Sequence, residues 1–224
     1  MSSEQLRKKH YDEYLEYGGF PGVVLAAAKE DKELKLKDIL KSYFEKDVRS
    51  LADFRDLRAF RELILLLMQR VGSKLEITKL ASEVGVSRET VYSFLSFLEQ
   101  TYFVHFITPF TKNVDREVSG GRKVYLCDTG ILNQFAKVSE GSVFENGVFL
   151  NVRSREGVNF YQKRSGAEID FVLDGRIGCE AKLTGTEQDY RALKRAADGI
   201  GLSEAYLVTK QYHDAPYVIP ALDM

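Results

Sequence analysis

The stretch SGAEIDFVLDGRIGCEAK, residues 165–182, predicts a β-hairpin and decides how the rest of the chain is interpreted. Two apolar runs flank residues 174–176, Asp-Gly-Arg, which are turn-forming. Because side chains alternate along a strand, Glu180 and Lys182 share one face, and the hairpin can bring Asp170 beside them. Two carboxylates and an amine at the edge of an apolar sheet must be paired, hydrated or bound to a metal ion.

Asp170 and Glu180 offer the hard oxygen ligands that Mg²⁺ or Mn²⁺ takes together with water and substrate phosphate. Such an ion activates a bound water and stabilises charge on a phosphate. Lys182 could orient or deprotonate that water, or stabilise the developing negative charge. The alternative is a surface hairpin whose charges only keep it hydrated, and an isolated E-x-K usually has that meaning.

The order Asp170, Glu180, Lys182 resembles the D-x(n)-E-x-K motif of the PD-(D/E)XK nuclease superfamily. In that superfamily a helix before the hairpin often supplies another acidic residue. Residues 143–150, VFENGVFL, predict such a helix and carry Glu145. The whole arrangement is similar to that of archaeal Holliday-junction resolvases and restriction-type enzymes.

This resemblance implies a metal-dependent DNA endonuclease that uses Mg²⁺ or Mn²⁺. The implied catalytic residues are Glu145, Asp170, Glu180 and Lys182, and the implied metal ligands are Glu145, Asp170, Glu180 and the main-chain carbonyl of Ala181. The expected substrate is double-stranded or branched DNA. Many members of the superfamily cut both strands as dimers, so a homodimer is a further expectation.

The composition describes a globular protein of 224 residues with 44% apolar and 29% charged residues. The chain lacks a run of about 18–20 apolar residues, the length that a membrane span requires. The polar N-terminus and two cysteines in apolar runs, Cys127 and Cys179, predict buried thiols in a cytoplasmic protein. The net charge of −1 means that any contact with nucleic acid must come from local basic patches.

Residues 1–72 are expected to form a helical region. A helix over residues 5–17 is expected to end at Gly18-Gly19, and residues 57–71 are apolar nearly all round, which predicts a buried helix.

Residues 73–128 predict a winged helix-turn-helix. A helix over residues 77–84 is followed by a turn at Gly85-Val86 and a second helix capped by Ser87. Strands over residues 103–110 and 123–127, with the polar loop 111–122 between them, are typical of a wing.

In a DNA-binding winged helix the capped helix would enter the major groove. That helix offers only Arg88 as a basic residue, so docking to a protein is an equal alternative. The residues considered as nucleic-acid contacts are Arg88, Lys112, Arg122, Lys163 and Arg164.

Longer stretches give a second resemblance. Residues 14–25 (YLEYGGFPGVVL), 98–110 (LEQTYFVHFITPF), 123–133 (KVYLCDTGILN) and 166–173 (GAEIDFVL) are similar to the DUF4143 region, the C-terminal half of a large family of prokaryotic AAA-type ATPases. The resemblance extends over roughly residues 10–210. The ATPase half has no counterpart in this chain, which is therefore expected to be a fragment or a free-standing relative.

The fold class expected is α/β (α+β overall): the helical and winged-helix parts, followed over residues 129–224 by a PD-(D/E)XK mixed sheet flanked by helices. Two functions remain open. One is the metal-dependent endonuclease, and the other is a non-catalytic DNA- or protein-binding module that partners an AAA-type ATPase.

Overall fold

The computed structural model describes residues 3–48, 56–111, 121–163, 166–211 and 214–224. Contacts divide the chain into two units, each built from two segments. The first unit consists of Met1–His105 and Val124–Val138, and the second of Phe106–Lys123 and Ser139–Met224. The division falls within two of the strands, so neither unit is one continuous stretch of sequence.

The first unit is mainly helical. Its helices are α1 Ser3–Tyr17, α2 Pro21–Val24, α3 Lys29–Ser42, a π-helical turn Tyr43–Val48, α4 Leu57–Gln69, α5 Ile77–Val84, α6 Arg88–Gln100 and α7 Thr129–Phe135. The expected helix over residues 5–17 is confirmed, since α1 ends at Tyr17 and the next residue, Gly18, has a φ of +79°. Gly18 thus takes the left-handed conformation that favours glycine.

Helix α4 buries one face and not its whole circumference. Phe60 and Leu63 are fully buried, and the ring of Phe60 meets that of Phe94 edge to face at 5.1 Å. Leu65 on the same helix remains 46% exposed, so the expectation of a helix buried all round was wrong. A periodic face within a leucine-rich run explains the difference.

The pair of helices after α4 follows the predicted local pattern. Helix α5 ends at Gly85 in the left-handed conformation, and the hydroxyl of Ser87 accepts a hydrogen bond of 3.1 Å from the main-chain N–H of Thr90 at the start of α6. These are the turn and the cap that the sequence indicated.

Asp128 connects α7 to the turn after α1 within the first unit. One carboxylate oxygen accepts the N–H of Ile131 at 3.0 Å, which caps α7, and the other accepts the N–H of Gly19 at 2.8 Å. The approach leaves no room for side chains at the glycines, because a Cβ on Gly130 would lie 2.1 Å from the carbonyl oxygen of Tyr17. Glycine is required here by close backbone contact.

The strands in chain order are β1 Val104–Pro109, β2 Lys123–Leu126, β3 Val158–Gln162, β4 Glu168–Leu173, β5 Ile177–Lys182, β6 Glu204–Thr209 and β7 Val218–Pro220. They form a mixed sheet in the order β2-β1-β3-β4-β5-β6-β7. The pairs β1/β3, β5/β6 and β6/β7 are parallel, whereas β3/β4 and β4/β5 are antiparallel. The expected α/β class with a mixed sheet is therefore confirmed.

Two helices of the second unit flank this sheet, α8 Glu140–Val152 and α9 Glu187–Ile200. Helix α8 packs against β5, and α9 packs against β4, β5 and β6. Leu193 and Ala197 of α9 join Ile169 and Leu207 of the sheet in a buried apolar cluster. The apolar side of α9 thus covers the hairpin that carries Asp170 and Glu180.

Strand β1 pairs in parallel with β3 through Thr108 and Pro109, so it belongs to the same sheet as the hairpin. Most of the expected wing loop, residues 112–120, lies outside the described residues. No helix in the described ranges has both the length and the apolar character needed to cross a membrane. Cys179 is buried as expected, and burial raises the pKa of its thiol to about 12, whereas Cys127 is only half-buried.

Candidate functional site

The hairpin of β4 and β5 fixes the relation between the two predicted metal-binding carboxylates. Phe171 pairs with Cys179 and Val172 with Gly178, so one further step along this register puts Asp170 opposite Glu180. Directly opposed residues of antiparallel strands share a face of the sheet. The register therefore agrees with the expected proximity of Asp170 to the face that carries Glu180.

Asp170 is a largely buried carboxylate, 14% exposed, with two different partners. Its Oδ2 accepts the main-chain N–H of Ala181 at 3.0 Å, and its Oδ1 lies 3.6 Å from Nζ of Lys123. Burial raises the pKa of Asp170, and the ammonium of Lys123 and the N–H of Ala181 only partly offset that effect. The hydrogen bond from Ala181 thus fixes the position of one carboxylate oxygen of Asp170.

Lys123, the first residue of β2, is the residue on which this cluster centres. Its side chain is 2% exposed, and Nζ lies 2.6 Å from Oε1 of Glu168 and 3.8 Å from Oε1 of Glu145. Nζ also lies 5.5 Å from the ring centroid of Phe160, within the range of a cation–π contact. Burial by itself lowers the pKa of Lys123, but Asp170, Glu145 and Glu168 outweigh it, so the pKa is raised and the ammonium is charged at neutral pH.

Sequence reasoning missed this role of Lys123 and did not select Glu168. All four residues of β2 are buried, so the one sequence signal was a lysine that opens an otherwise apolar strand, KVYL. A charged residue in such a position requires a buried partner.

Glu180 and Lys182 share a face, as predicted, and form an ion pair of 2.8 Å. Burial raises the pKa of Glu180 despite the nearby ammonium. Burial acts to lower the pKa of Lys182, but its hydrogen bond to Glu180 and the neighbouring carboxylates raise it overall. Lys182 is therefore protonated at neutral pH, and at 38% exposure it retains access to solvent.

The cluster as a whole carries excess negative charge. Four carboxylates, from Glu145, Glu168, Asp170 and Glu180, face the two ammonium groups of Lys123 and Lys182. Among these six groups alone, two negative charges are left over, which one divalent cation would balance.

Within the described residues, no three acidic, histidine or cysteine side chains come together in a way that could hold a metal ion. Mg²⁺ commonly uses only one or two carboxylates and completes its octahedron with water and substrate oxygens. Asp170 and Glu180 are a donor set of that kind.

A cavity of about 500 Å³ lies beside the hairpin within the second unit. Glu168 and Glu180 line it on the side of the carboxylates, and Lys163 and Arg195 add two cations. Tyr161 and residues of α9 supply the apolar part of the wall. Beside the acidic cluster, the cavity wall thus offers cationic and apolar side chains to a ligand that carries both negative and apolar groups.

Three of the five predicted nucleic-acid contacts lie within the described residues, each in a different part of the chain. Lys163 lines the cavity, whereas the guanidinium of Arg122 lies over the ring of Phe106, 4.3 Å from its centroid. Arg88 is the first residue of α6 in the first unit. Lys112 and Arg164 lie outside the described residues.

The chain is similar to proteins from archaea and bacteria. An uncharacterised protein of Methanocaldococcus jannaschii is 27% identical over 227 aligned residues, which cover 92% of this chain and 50% of that protein. An uncharacterised protein of Haemophilus influenzae is 29% identical, over 76% of this chain and 44% of its own length. One of Mycobacterium tuberculosis is 23% identical, over 89% and 49%.

The chain spans about half the length of these curated relatives. No solved structure matches it.

Family models match both parts of the chain. Residues 140–223 match the family described as Domain of unknown function (DUF4143), which places the hairpin, α8 and α9 in that region. The expected resemblance over roughly residues 10–210 was too long, because residues 8–142 match a different model. With 8–142 matched, this chain belongs to the family described as Domain of unknown function (DUF8612), followed by a DUF4143 region over 140–223.

Proposed function

We propose that this protein is a metal-dependent DNA endonuclease whose hairpin and flanking helices form a site of the PD-(D/E)XK type. The observation that carries the proposal is the placement of Asp170 and Glu180 on adjacent antiparallel strands, with Lys182 2.8 Å from Glu180. The cavity beside them, with Lys163 and Arg195 in its wall, adds a place for a phosphodiester. The excess negative charge of the cluster further supports a divalent cation as its ligand.

In this proposal Asp170 and Glu180 hold one Mg²⁺ or Mn²⁺. The bound ion would supply an activated water and stabilise charge on the phosphate. The N–H of Ala181 fixes the orientation of Asp170 through its bond to Oδ2. The raised pKa of both carboxylates, which burial causes, means that protons compete with the cation as the pH falls.

Lys182 would act through its charge. Because its pKa is raised, its amine stays protonated at neutral pH and is a poor proton acceptor. Its partly exposed ammonium would instead stabilise the negative charge that develops on the phosphate during attack by water.

The substrate proposed is double-stranded or branched DNA. Lys163 and Arg195 would contact backbone phosphates at the cavity, a contact that needs only a local patch and agrees with the net charge of −1. We further propose that α5 and α6 are the helix-turn-helix of a winged helix, with Arg88 at the DNA backbone.

The proposal is tested by measuring metal binding and cleavage in one series of variants. Wild type, Asp170→Asn and Glu180→Gln would be titrated with Mn²⁺ by calorimetry and then incubated with linear, branched and single-stranded DNA. Glu187→Gln is the matched control, because it removes a carboxylate from α9 whose side chain is 65% exposed. We expect binding and cleavage in wild type and in the control, and loss of both in the two site variants. Cleavage by Asp170→Asn at the wild-type rate would refute the assignment.

A second function is favoured by one observation, the internal pairing of the cluster. Lys123 and Lys182 already neutralise part of the acidic charge, so the fold tolerates these carboxylates without any metal. A non-catalytic module that binds DNA or partners an AAA-type ATPase would need no cation at this cluster other than these two lysines. Folded wild type that binds neither Mn²⁺ nor Mg²⁺, with or without DNA, would establish this alternative over the nuclease.

A further inference from the structure

The ammonium of Lys123 differs from that of Lys182 in how firmly it is held. Lys182 is 38% exposed and has one close carboxylate partner, whereas Lys123 is 2% exposed and faces three carboxylates. The ion pair of Lys123 with Glu168 measures 2.6 Å, and the ring of Phe160 lies on another side. A buried ammonium with these partners cannot leave without losing three ion pairs, two of them with carboxylates that are less than 20% exposed.

The position of this ammonium restricts where a divalent cation can bind. An ion bound to both Oδ1 of Asp170 and Oε1 of Glu145 would sit about 2.1 Å from each oxygen and so within roughly 6 Å of Nζ of Lys123. Repulsion between the two cations is strong in a buried environment. Oδ1 of Asp170 and Oε1 of Glu145 therefore already share a cation, and it is the lysine.

The conditions for binding a divalent cation are different on the side of Asp170 that faces Glu180. Glu180 lines the cavity, where water and substrate oxygens can complete the shell of an ion. The ammonium on this side belongs to Lys182, whose exposed side chain can move away from an arriving cation.

We propose that Lys123 is a built-in cation that takes the place of a second metal ion. The site then binds one divalent ion, between Asp170 and Glu180, and Glu145 is a counter-ion of Lys123 and not a metal ligand. Lys123 is thus a positioning residue that holds Asp170 from the side opposite the metal. This inference rests on the proposed function, since it concerns the cation of that same site.

The experiment counts bound Mn²⁺ by calorimetry on the full chain, with no DNA present. Wild type is compared with Glu145→Gln, Asp170→Asn and the double variant Lys123→Met/Glu168→Gln, which removes one charge of each sign. Circular dichroism checks that each variant is folded.

We expect wild type to bind one Mn²⁺ per chain. Glu145→Gln should bind one ion with a Kd within about threefold of the wild-type value. Asp170→Asn should raise the Kd by about tenfold or more. The double variant should bind two ions, because Glu145 and Asp170 are then freed for a second.

Two ions in wild type, or a tenfold or greater loss of affinity in Glu145→Gln, would overturn this inference and leave the nuclease proposal standing. A folded double variant that still binds one ion would overturn it as well. If the double variant does not fold, the Kd of Glu145→Gln decides alone. Absence of binding in wild type without DNA would overturn this inference, and absence of binding when DNA is added as well would overturn both proposals.

Discussion

Two aspartates, the buried Asp128 in the first unit and the largely buried Asp170 in the second, show how differently the fold treats the same group. Burial raises the pKa of both carboxyls. Asp128 is satisfied by main-chain donors, the N–H groups of Gly19 and Ile131. Asp170 has one such donor, from Ala181, and an ammonium 3.6 Å away.

The surroundings separate the two roles. Gly18 and Gly130 pack so closely around Asp128 that a Cβ on Gly18 would lie 2.0 Å from its oxygen, which leaves no space for a ligand. The neighbours of Asp170, by contrast, line a cavity with basic residues in its wall. A perturbed carboxyl therefore indicates a candidate site only where counter-charge and open space accompany it.

The largest expected difference between the two aspartates is in catalysis. Asp170→Asn should lower metal-dependent DNA cleavage by about a thousandfold, because it removes a metal ligand and its charge. The folded fraction of Asp128→Asn should keep the wild-type cleavage rate, since Asp128 belongs to the first unit and its carboxylate accepts hydrogen bonds from the backbone there. Initial rates measured below the unfolding temperature of each variant test this, and equal losses in both would remove the distinction.

The next effect concerns the glycines that enclose Asp128. Gly130→Ala should lower the free energy of unfolding by about 3 kcal/mol, because the new Cβ would meet the backbone of Tyr17, which cannot move aside. Gly22→Ala is the matched control, since a Cβ there meets nothing within 4 Å. Urea denaturation measures both, and a Gly130→Ala protein as stable as the control would contradict the tight packing.

A smaller effect of opposite sign is expected for Asp170 without metal. Its raised pKa means that the folded state favours the neutral carboxyl, a contribution present at low pH and lost as the pH rises through the folded-state pKa. Asp170→Asn, which stays neutral, should therefore be more stable than wild type at pH 7 by about 1 kcal/mol, or roughly 2–4 °C in Tm.

Burial raises the pKa of Asp128 as well, but each of its two oxygens accepts a main-chain N–H. The same substitution there should destabilise the protein, because the amide of Asn can accept only one of these two hydrogen bonds and leaves the other N–H without its acceptor. Thermal melts with a chelator present, at pH 4 and pH 7, compare the two variants. A gain for Asp170→Asn that is larger at pH 4 than at pH 7 would show the sign to be wrong.

The smallest effect is on DNA affinity. Lys163→Gln should weaken binding about threefold and reduce the slope of log affinity against log salt by about 0.9, as for one lost phosphate contact. Lys194→Gln is the control, because Lys194 pairs with Asp198 on α9. Fluorescence anisotropy with a DNA duplex at several salt concentrations tests this, and equal slopes in wild type and Lys163→Gln would exclude Lys163 from the interface.

Much of the fold was predictable because its signals are local. Helix α5 has the predicted bounds, Ile77–Val84, since its turn and its apolar periodicity lie within the segment itself. The hairpin turn at Asp174 and Gly175 is equally local, with both residues at positive φ. The register that opposes Asp170 to Glu180 follows directly from that turn.

The environment of the site was not predictable in this way. Lys123 lies far along the chain from Glu145, Glu168 and Asp170, so no spacing rule connects them. The order of the strands in the sheet decides which lysine reaches Asp170. Strand β1 pairs in parallel with β3 and so brings β2, which carries Lys123, toward the hairpin. The hydrogen bond between Asp128 and Gly19 was likewise not predictable, because the two residues are 109 positions apart in the sequence.

The discontinuity of the second unit has a practical consequence for anyone who divides the gene into pieces. A fragment expressed from the DUF4143 boundary would begin at residue 140 and retain Glu145, Glu168 and Asp170. It would lack Lys123 and the segment that carries it, which belong to the same unit. Such a fragment would have to hold these three carboxylates close together with no ammonium between them, so any recombinant version of this half must include residues 106–123.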